Sequence, residues 1–146
     1  MKKTLFLGLA LALVLLALGA SASAQAPVKR VQGEDSTQAF WEKFKAAVIT
    51  GDKAAVAVMS RFPIEMPYGI PKVKSAAQLN SHYRDVFYHE TNAPKCFSKA
   101  KPETDPARPK EFTIACKTAA GDEVIIYTFA RGKSGWKFTG LDNINE

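Results

Sequence analysis

Three runs in the last third of the chain, residues 111–118, 123–130 and 136–141, alternate bulky apolar residues with polar or small ones. Successive side chains of a strand point to opposite faces, so this alternation describes strands buried on one side only. The runs are separated by Ala-Ala-Gly-Asp and Arg-Gly-Lys-Ser-Gly, both turn-forming. A slip of one residue would swap the two faces, so the registers constrain one another. Even-length tight turns at Ala120-Gly121 and Gly132-Lys133 set Cys116 opposite Ile125, Ile114 opposite Tyr127 and Phe112 opposite Phe129. They also set Phe129 opposite Trp136 and Tyr127 opposite Phe138. One face then carries Phe112, Ile114, Cys116, Ile125, Tyr127, Phe129, Trp136 and Phe138. The other carries Thr113, Ala115, Lys117, Val124, Ile126, Thr128, Lys137 and Thr139, with Leu141 on the same side. An antiparallel sheet with one aromatic face must pack that face on something.

The upstream residues supply the partner. Asp35 or Ser36 offers a helix N-cap, Gln38 completes a capping box with Asp35, and Phe40, Trp41, Phe44, Ala47 and Val48 recur at helical spacing. Gly51 suits the left-handed residue that ends a helix, and Asp52 recaps a second one, Lys53 to about Ser60. Pro63 and Pro67 exclude a helix over Phe62–Tyr68, which reads as a short edge strand or an extended segment. Ser75 and Gln78 form another capping box and open a third helix to about Phe87, with Leu79, Tyr83, Val86 and Phe87 as its apolar stripe. Lys95 to Lys99 reads as a strand, and the proline-rich stretch from Ala100 to Lys110 as a long hairpin loop. The fold class expected is α+β, with N-terminal helices packed on a curved antiparallel sheet.

The first residues have the three parts of a secretory signal: Lys2 and Lys3, an uncharged apolar core from Leu5 to Leu18, and the small-x-small triplet Ala22-Ser23-Ala24. That core is shorter than the ~20 residues a membrane-spanning helix needs. Cleavage after Ala24 is expected, giving residues 1–24 as signal peptide, 25–34 as a loose linker and 35–146 as one α+β domain. The expected location is periplasmic or secreted, with no membrane association after cleavage. Loss of Lys2 and Lys3 lowers the net charge from +6 to +4, a mildly basic balance that concerns solubility. In an oxidising compartment the two cysteines, Cys96 and Cys116, read as one disulfide. That bond would bring the strand carrying Cys96 into the sheet, with Ser98 near Ile114.

Phe40-Trp41-x-x-Phe44, Gly51-Asp52 between helices, Phe62-Pro63-Ile64 and the closing Trp136-Lys137-Phe138 come in an order that resembles the nuclear transport factor two-like superfamily. This cystatin-like group includes ketosteroid isomerase-like and polyketide cyclase-like proteins. The likeness spans residues 36 to 141 and is one of architecture. It implies a cone-like arrangement of helices and bent sheet, whose open end admits a small apolar molecule. It settles no activity, because many members of such a fold have none.

Isomerase chemistry of that kind needs a carboxylate base and an oxyanion hole facing an apolar cavity. Tyr127 lies on the inward sheet face and Tyr83 on the third helix's stripe, but no Asp or Glu takes an inward sheet position. Asp85 lies about 160° around the helix from Tyr83. No catalytic residue is therefore assigned. His82, Asp85 and His89 share one helix flank, yet the histidines stand two turns, about 10 Å, apart and cannot share an ion, so a solvated face is expected. No metal site and no cofactor are expected. Lys95, Lys99, Lys101, Arg108, Lys110 and Lys117 cluster in the sequence, offset by Glu103, Asp105 and Glu111. They lack the interleaved exposed aromatics of a single-strand binder, so a solvated surface and no nucleic-acid partner are expected.

The expected function is that of an exported small-molecule-binding or accessory protein, its ligand held among Trp41, Tyr68, Tyr83, Tyr127 and Phe138. An isomerase- or cyclase-like enzyme using the same pocket is one alternative. The other is an interaction module that forms a homodimer through Ala115, Val124, Ile126 and Leu141 on the outer sheet face.

Overall fold

A computed structural model of the chain describes residues 36–67 and 71–144. The expected signal peptide and linker, and Tyr68, lie outside the described residues. Helix α1 spans Thr37–Thr50, and its cap is Ser36, whose hydroxyl accepts from the Ala39 amide. The helix ends at Gly51, whose φ of 71° is left-handed, and the amides of Gly51 and Asp52 bond back to the carbonyls of Val48 and Ala47. Asp52 then caps α2, Lys53–Val58, through the Ala55 amide at 2.9 Å. This helix stops short of the expected Ser60, because Ser60 already begins strand β1, Ser60–Glu65. Ser75 caps α3, Ala76–Ser81, by accepting from the Gln78 amide, while the Gln78 side chain reaches back to the amide of Lys74. The third helix was expected to run to Phe87. After Ser81 its hydrogen bonding changes, and Asp85–His89 form a π-helical turn.

The segment around Cys96 departs from expectation. It is not a strand but a short helix, α4, Ala93–Phe97. Asn92 caps it by accepting from the Lys95 amide, and Pro94 lies in the first turn, where its missing N–H is no loss. Ser98 is thus no strand neighbour of Ile114. Residues 100–110 consequently form a connection from α4 to the sheet rather than a hairpin loop. Glu103 and Thr113 exchange backbone hydrogen bonds and fold this connection against the sheet.

Strands β2 (Glu111–Lys117), β3 (Val124–Gly132) and β4 (Gly135–Asn143) form an antiparallel meander, and β1 runs parallel to β4 in the order β1-β4-β3-β2. The sheet is therefore mixed rather than wholly antiparallel. The β2–β3 register is the expected one, with Phe112 opposite Phe129, Ile114 opposite Tyr127 and Cys116 opposite Ile125. The β3–β4 register is not. Gly132 faces Gly135 across a two-residue loop, so Phe129 pairs with Phe138 and not with Trp136, which stands opposite Arg131. Thr128 then pairs with Gly140, leaving Thr139 as an extra residue in β4, its hydroxyl donating to the Thr128 carbonyl. Such a bulge bends its strand and reverses the alternation beyond it. Tyr127 therefore faces Leu141 rather than Phe138, and Leu141 turns inward, only 5% exposed. It is lost from the outer patch to which the alternation had assigned it.

The inner face is an aromatic core. Phe44 packs edge-on to Phe129 with ring centroids 4.9 Å apart, and its ring lies 5.5 Å from Phe138. Phe112 stacks on Phe129 at 4.5 Å, and Trp41 meets Phe97 at 5.0 Å. Edge-to-face and offset pairs at these spacings add about 0.5–1.5 kcal/mol each to the burial of their area. The disulfide Cys96–Cys116, with Cα atoms 5.8 Å apart, fastens α4 to β2.

Candidate functional site

Of the five residues expected to bind a ligand, Trp41, Tyr83, Tyr127 and Phe138 lie among the described residues. Trp41, Tyr127 and Phe138 are buried within the ring cluster and form part of the core, not the wall of an open cavity. The Tyr127 hydroxyl exchanges a 2.8 Å hydrogen bond with Thr91 and donates to the Val86 carbonyl at 3.2 Å. Burial pushes this phenol's pKa well above its ordinary value, against the smaller lowering effect of the Thr91 bond. Tyr127 thus works as a tie between the sheet and the π-turn. Of the four described, Tyr83 borders a surface depression.

That depression, of about 400 Å³, is lined by Gly51, Lys53, Tyr83, Arg84 and Tyr88. Its parts come from three elements. The left-handed turn at Gly51 and the Asp52 cap place Lys53 at the start of α2. The Lys53 ammonium donates to the Asn80 carbonyl of α3 at 3.2 Å and lies 5.3 Å above the Tyr83 ring, within cation–π range. The change from α- to π-type hydrogen bonding after α3 brings Tyr88 beside Tyr83, with centroids 6.5 Å apart and planes 47° apart. Turns of π type recur at functional sites because the extra residue redirects side chains. Tyr88 is 42% exposed, whereas Tyr83 is 3% exposed. The Tyr83 hydroxyl is buried and has no hydrogen-bond partner among the described residues. Its pKa is pushed up to about 12, by burial first and then by the neighbouring Tyr88 and Asp52. An unpaired buried hydroxyl costs about 1–3 kcal/mol.

The periodicity placed Tyr83 on the inward stripe. It carried no signal for Lys53, Arg84 and Tyr88, whose association depends on the π-turn and on how α2 meets α3. His82 and Asp85 form a 2.9 Å pair, both more than half exposed, and no cluster of three metal-type side chains occurs among the described residues. The buried non-aromatic polar residues among those described are Ser60, Thr91 and Asn143. On the outer face Ala115 is exposed while Val124 and Ile126 are half-buried.

No protein-family model matches the chain, and no curated protein matches it. Its elements make it an α+β protein of helices followed by a bent four-stranded sheet. Solved structures of similar arrangement include a nuclear transport factor two-like protein with a cystatin-like fold from Novosphingobium aromaticivorans. That alignment has 14% identity and a TM-score of 0.41, covering 71% of this chain and 75% of the other. A domain of unknown function with a cystatin-like fold from Nostoc punctiforme aligns at 13% identity and a TM-score of 0.45, covering 80% and 78%. A hexachlorocyclohexane dehydrochlorinase aligns at 15% identity and a TM-score of 0.39, covering 73% and 80%. At these values no residue role is transferred from them to this chain.

Proposed function

We propose that this chain is an exported binding protein that takes a small amphipathic molecule at the Tyr83–Tyr88 depression, not inside the helix–sheet interior. The observation that carries the reading is the buried, unpartnered Tyr83 hydroxyl at a hollow shared with Tyr88, Lys53 and Arg84. Two tyrosine rings suit an apolar body, and two cations suit an anionic head. Binding is preferred to isomerase- or cyclase-like catalysis because no Asp or Glu is buried among the described residues to serve as a base. The tripartite N-terminus and the Cys96–Cys116 bond support export.

Titration with anilinonaphthalene sulfonate, an apolar anion, tests the site. The expected result is saturable one-to-one binding that Tyr88→Ala with Lys53→Met weakens at least ~10-fold, a loss of about 1.4 kcal/mol or more, while the unfolding midpoint is kept. Binding that the double variant leaves unchanged refutes the site. N-terminal analysis of the protein recovered outside the cytoplasm should find Gln25 first, and a chain still beginning at Met1 would refute processing.

A further inference from the structure

A second depression, about 560 Å³ in volume, opens between α4 and the β2–β3 turn. Its lining is Asn92, Lys95, Cys96, Lys99, Lys117, Thr118 and Ala119, three ammonium side chains with no carboxylate among them. We propose that it binds a small, multiply charged oxyanion of the phosphate-ester type.

The cross-link sets the geometry. Lys95 precedes Cys96 and Lys117 follows Cys116, and the disulfide holds the two cysteine Cα atoms 5.8 Å apart. Lys95 from the helix and Lys117 from the strand both line the depression. The amides of Lys99 and Ala100 both donate to the Cys96 carbonyl at 3.0 Å, so the chain keeps turning past Phe97. This brings Lys99, four residues on, to the same side as Lys95. All three lysines are exposed.

No carboxylate pairs with any of the three among the described residues, whereas Arg108, in the connection from α4 to β2, is held by both Asp105 and Glu111. Of the acids that follow Lys117, Asp122 accepts from the Thr118 hydroxyl at 2.9 Å, and Glu123 from the Asn143 amide at 2.8 Å. Three like charges set together repel, and a compact anion relieves that repulsion. Ammonium groups are point charges with rotatable donors. They suit a tetrahedral oxyanion approached from several sides better than a planar carboxylate, which favours the fork of arginine. The volume lies in the range of small-molecule sites. Of the six basic residues clustered in the sequence, three line this hollow while Arg108 is paired in the connection.

The probe is inorganic pyrophosphate, titrated calorimetrically into the purified protein in low-salt buffer, with acetate and phosphatidylglycerol vesicles in parallel. The expected result is saturable one-to-one pyrophosphate binding that weakens as salt is added and is not shared by acetate. Lys95→Met with Lys117→Met should weaken it at least ~10-fold with the unfolding midpoint unchanged, while Lys110→Met leaves it intact. Three results overturn the proposal: no saturable pyrophosphate binding, equal weakening by Lys110→Met, or binding to the vesicles alone. The residues are distinct from those of the Tyr83 depression, so each site stands or falls on its own titration.

Discussion

Replacing Tyr127 with Phe isolates a buried polar tie between the sheet and the π-turn. The ring contacts survive the change: edge-on to Phe97 at 4.9 Å and parallel to Phe87 at 6.1 Å. Apolar burial is therefore conserved, and the loss is that of the hydroxyl alone. It removes the 2.8 Å bond with Thr91 and the 3.2 Å bond to the Val86 carbonyl. Thr91 is 3% exposed, so its hydroxyl is stranded along with that carbonyl. Each stranded group costs about 1–3 kcal/mol, and rotation of the threonine hydroxyl recovers part, giving a total of about 2–4 kcal/mol. With a urea slope of about 1–3 kcal/mol per molar, the midpoint of unfolding should fall by about 1–2 M at an unchanged slope. Adding Thr91→Val should cost less in the Tyr127→Phe background than alone, because one partner of the bond is already gone. A Tyr127→Phe protein within about 0.5 kcal/mol of the parent would refute the tie, since typical hydrogen-bond contributions exceed that.

Other expectations follow from separate features. Opening the Cys96–Cys116 cross-link with Cys96→Ser and Cys116→Ser frees a loop of sequence separation 20, at a cost of about 3 kcal/mol by chain entropy. A chemical-unfolding loss below about 1 kcal/mol would contradict it. Tyr83 and Tyr127 both keep their protons longer folded than unfolded. Their stabilisation is therefore complete below pH about 10 and is lost as pH rises toward about 12 for Tyr83. Denaturant midpoints measured from pH about 8 upward should be flat and then decline, and Tyr83→Phe should shallow the decline; a curve of unchanged steepness removes Tyr83 from the account. A Cβ at Gly140 would lie 3.0 Å from the Glu65 Cβ and 3.2 Å from its carbonyl oxygen. Gly140→Ala should therefore push β1 off β4 and cost about 1–3 kcal/mol in thermal or chemical unfolding. A neutral result would mean that the edge strand yields freely.

Local chemistry alone determined a large part of this fold. The Asp52 and Ser75 caps, the Gly51 stop and the β2–β3 pairing depend on residues within a few positions or one tight turn of each other. The alternation from Phe112 to Phe138 likewise names the inward face, since a strand has only two. Cys96 could be paired with Cys116 from compartment and count, but not placed on a helix. Its five-residue helix is too short to show a period, and it is held by the Asn92 cap and by the bond to β2. Leu141 was misassigned because one extra residue at Thr139 reverses the alternation, and no spacing rule shows where a strand will bulge. The site was decided the same way. Tyr83 was legible as an inward residue, but whether inward rings enclose a cavity or fill one another's space is a matter of packing. Here Phe44, Phe129 and Phe138 fill it. Tyr83, Tyr88, Lys53 and Arg84 line one hollow because a π-turn adds a residue and α2 closes on α3, and Lys95 and Lys117 line another that spans the disulfide between segments 20 residues apart. Caps and alternation are settled by neighbours along the chain, whereas cavities and charge clusters are settled by which distant surfaces fit together.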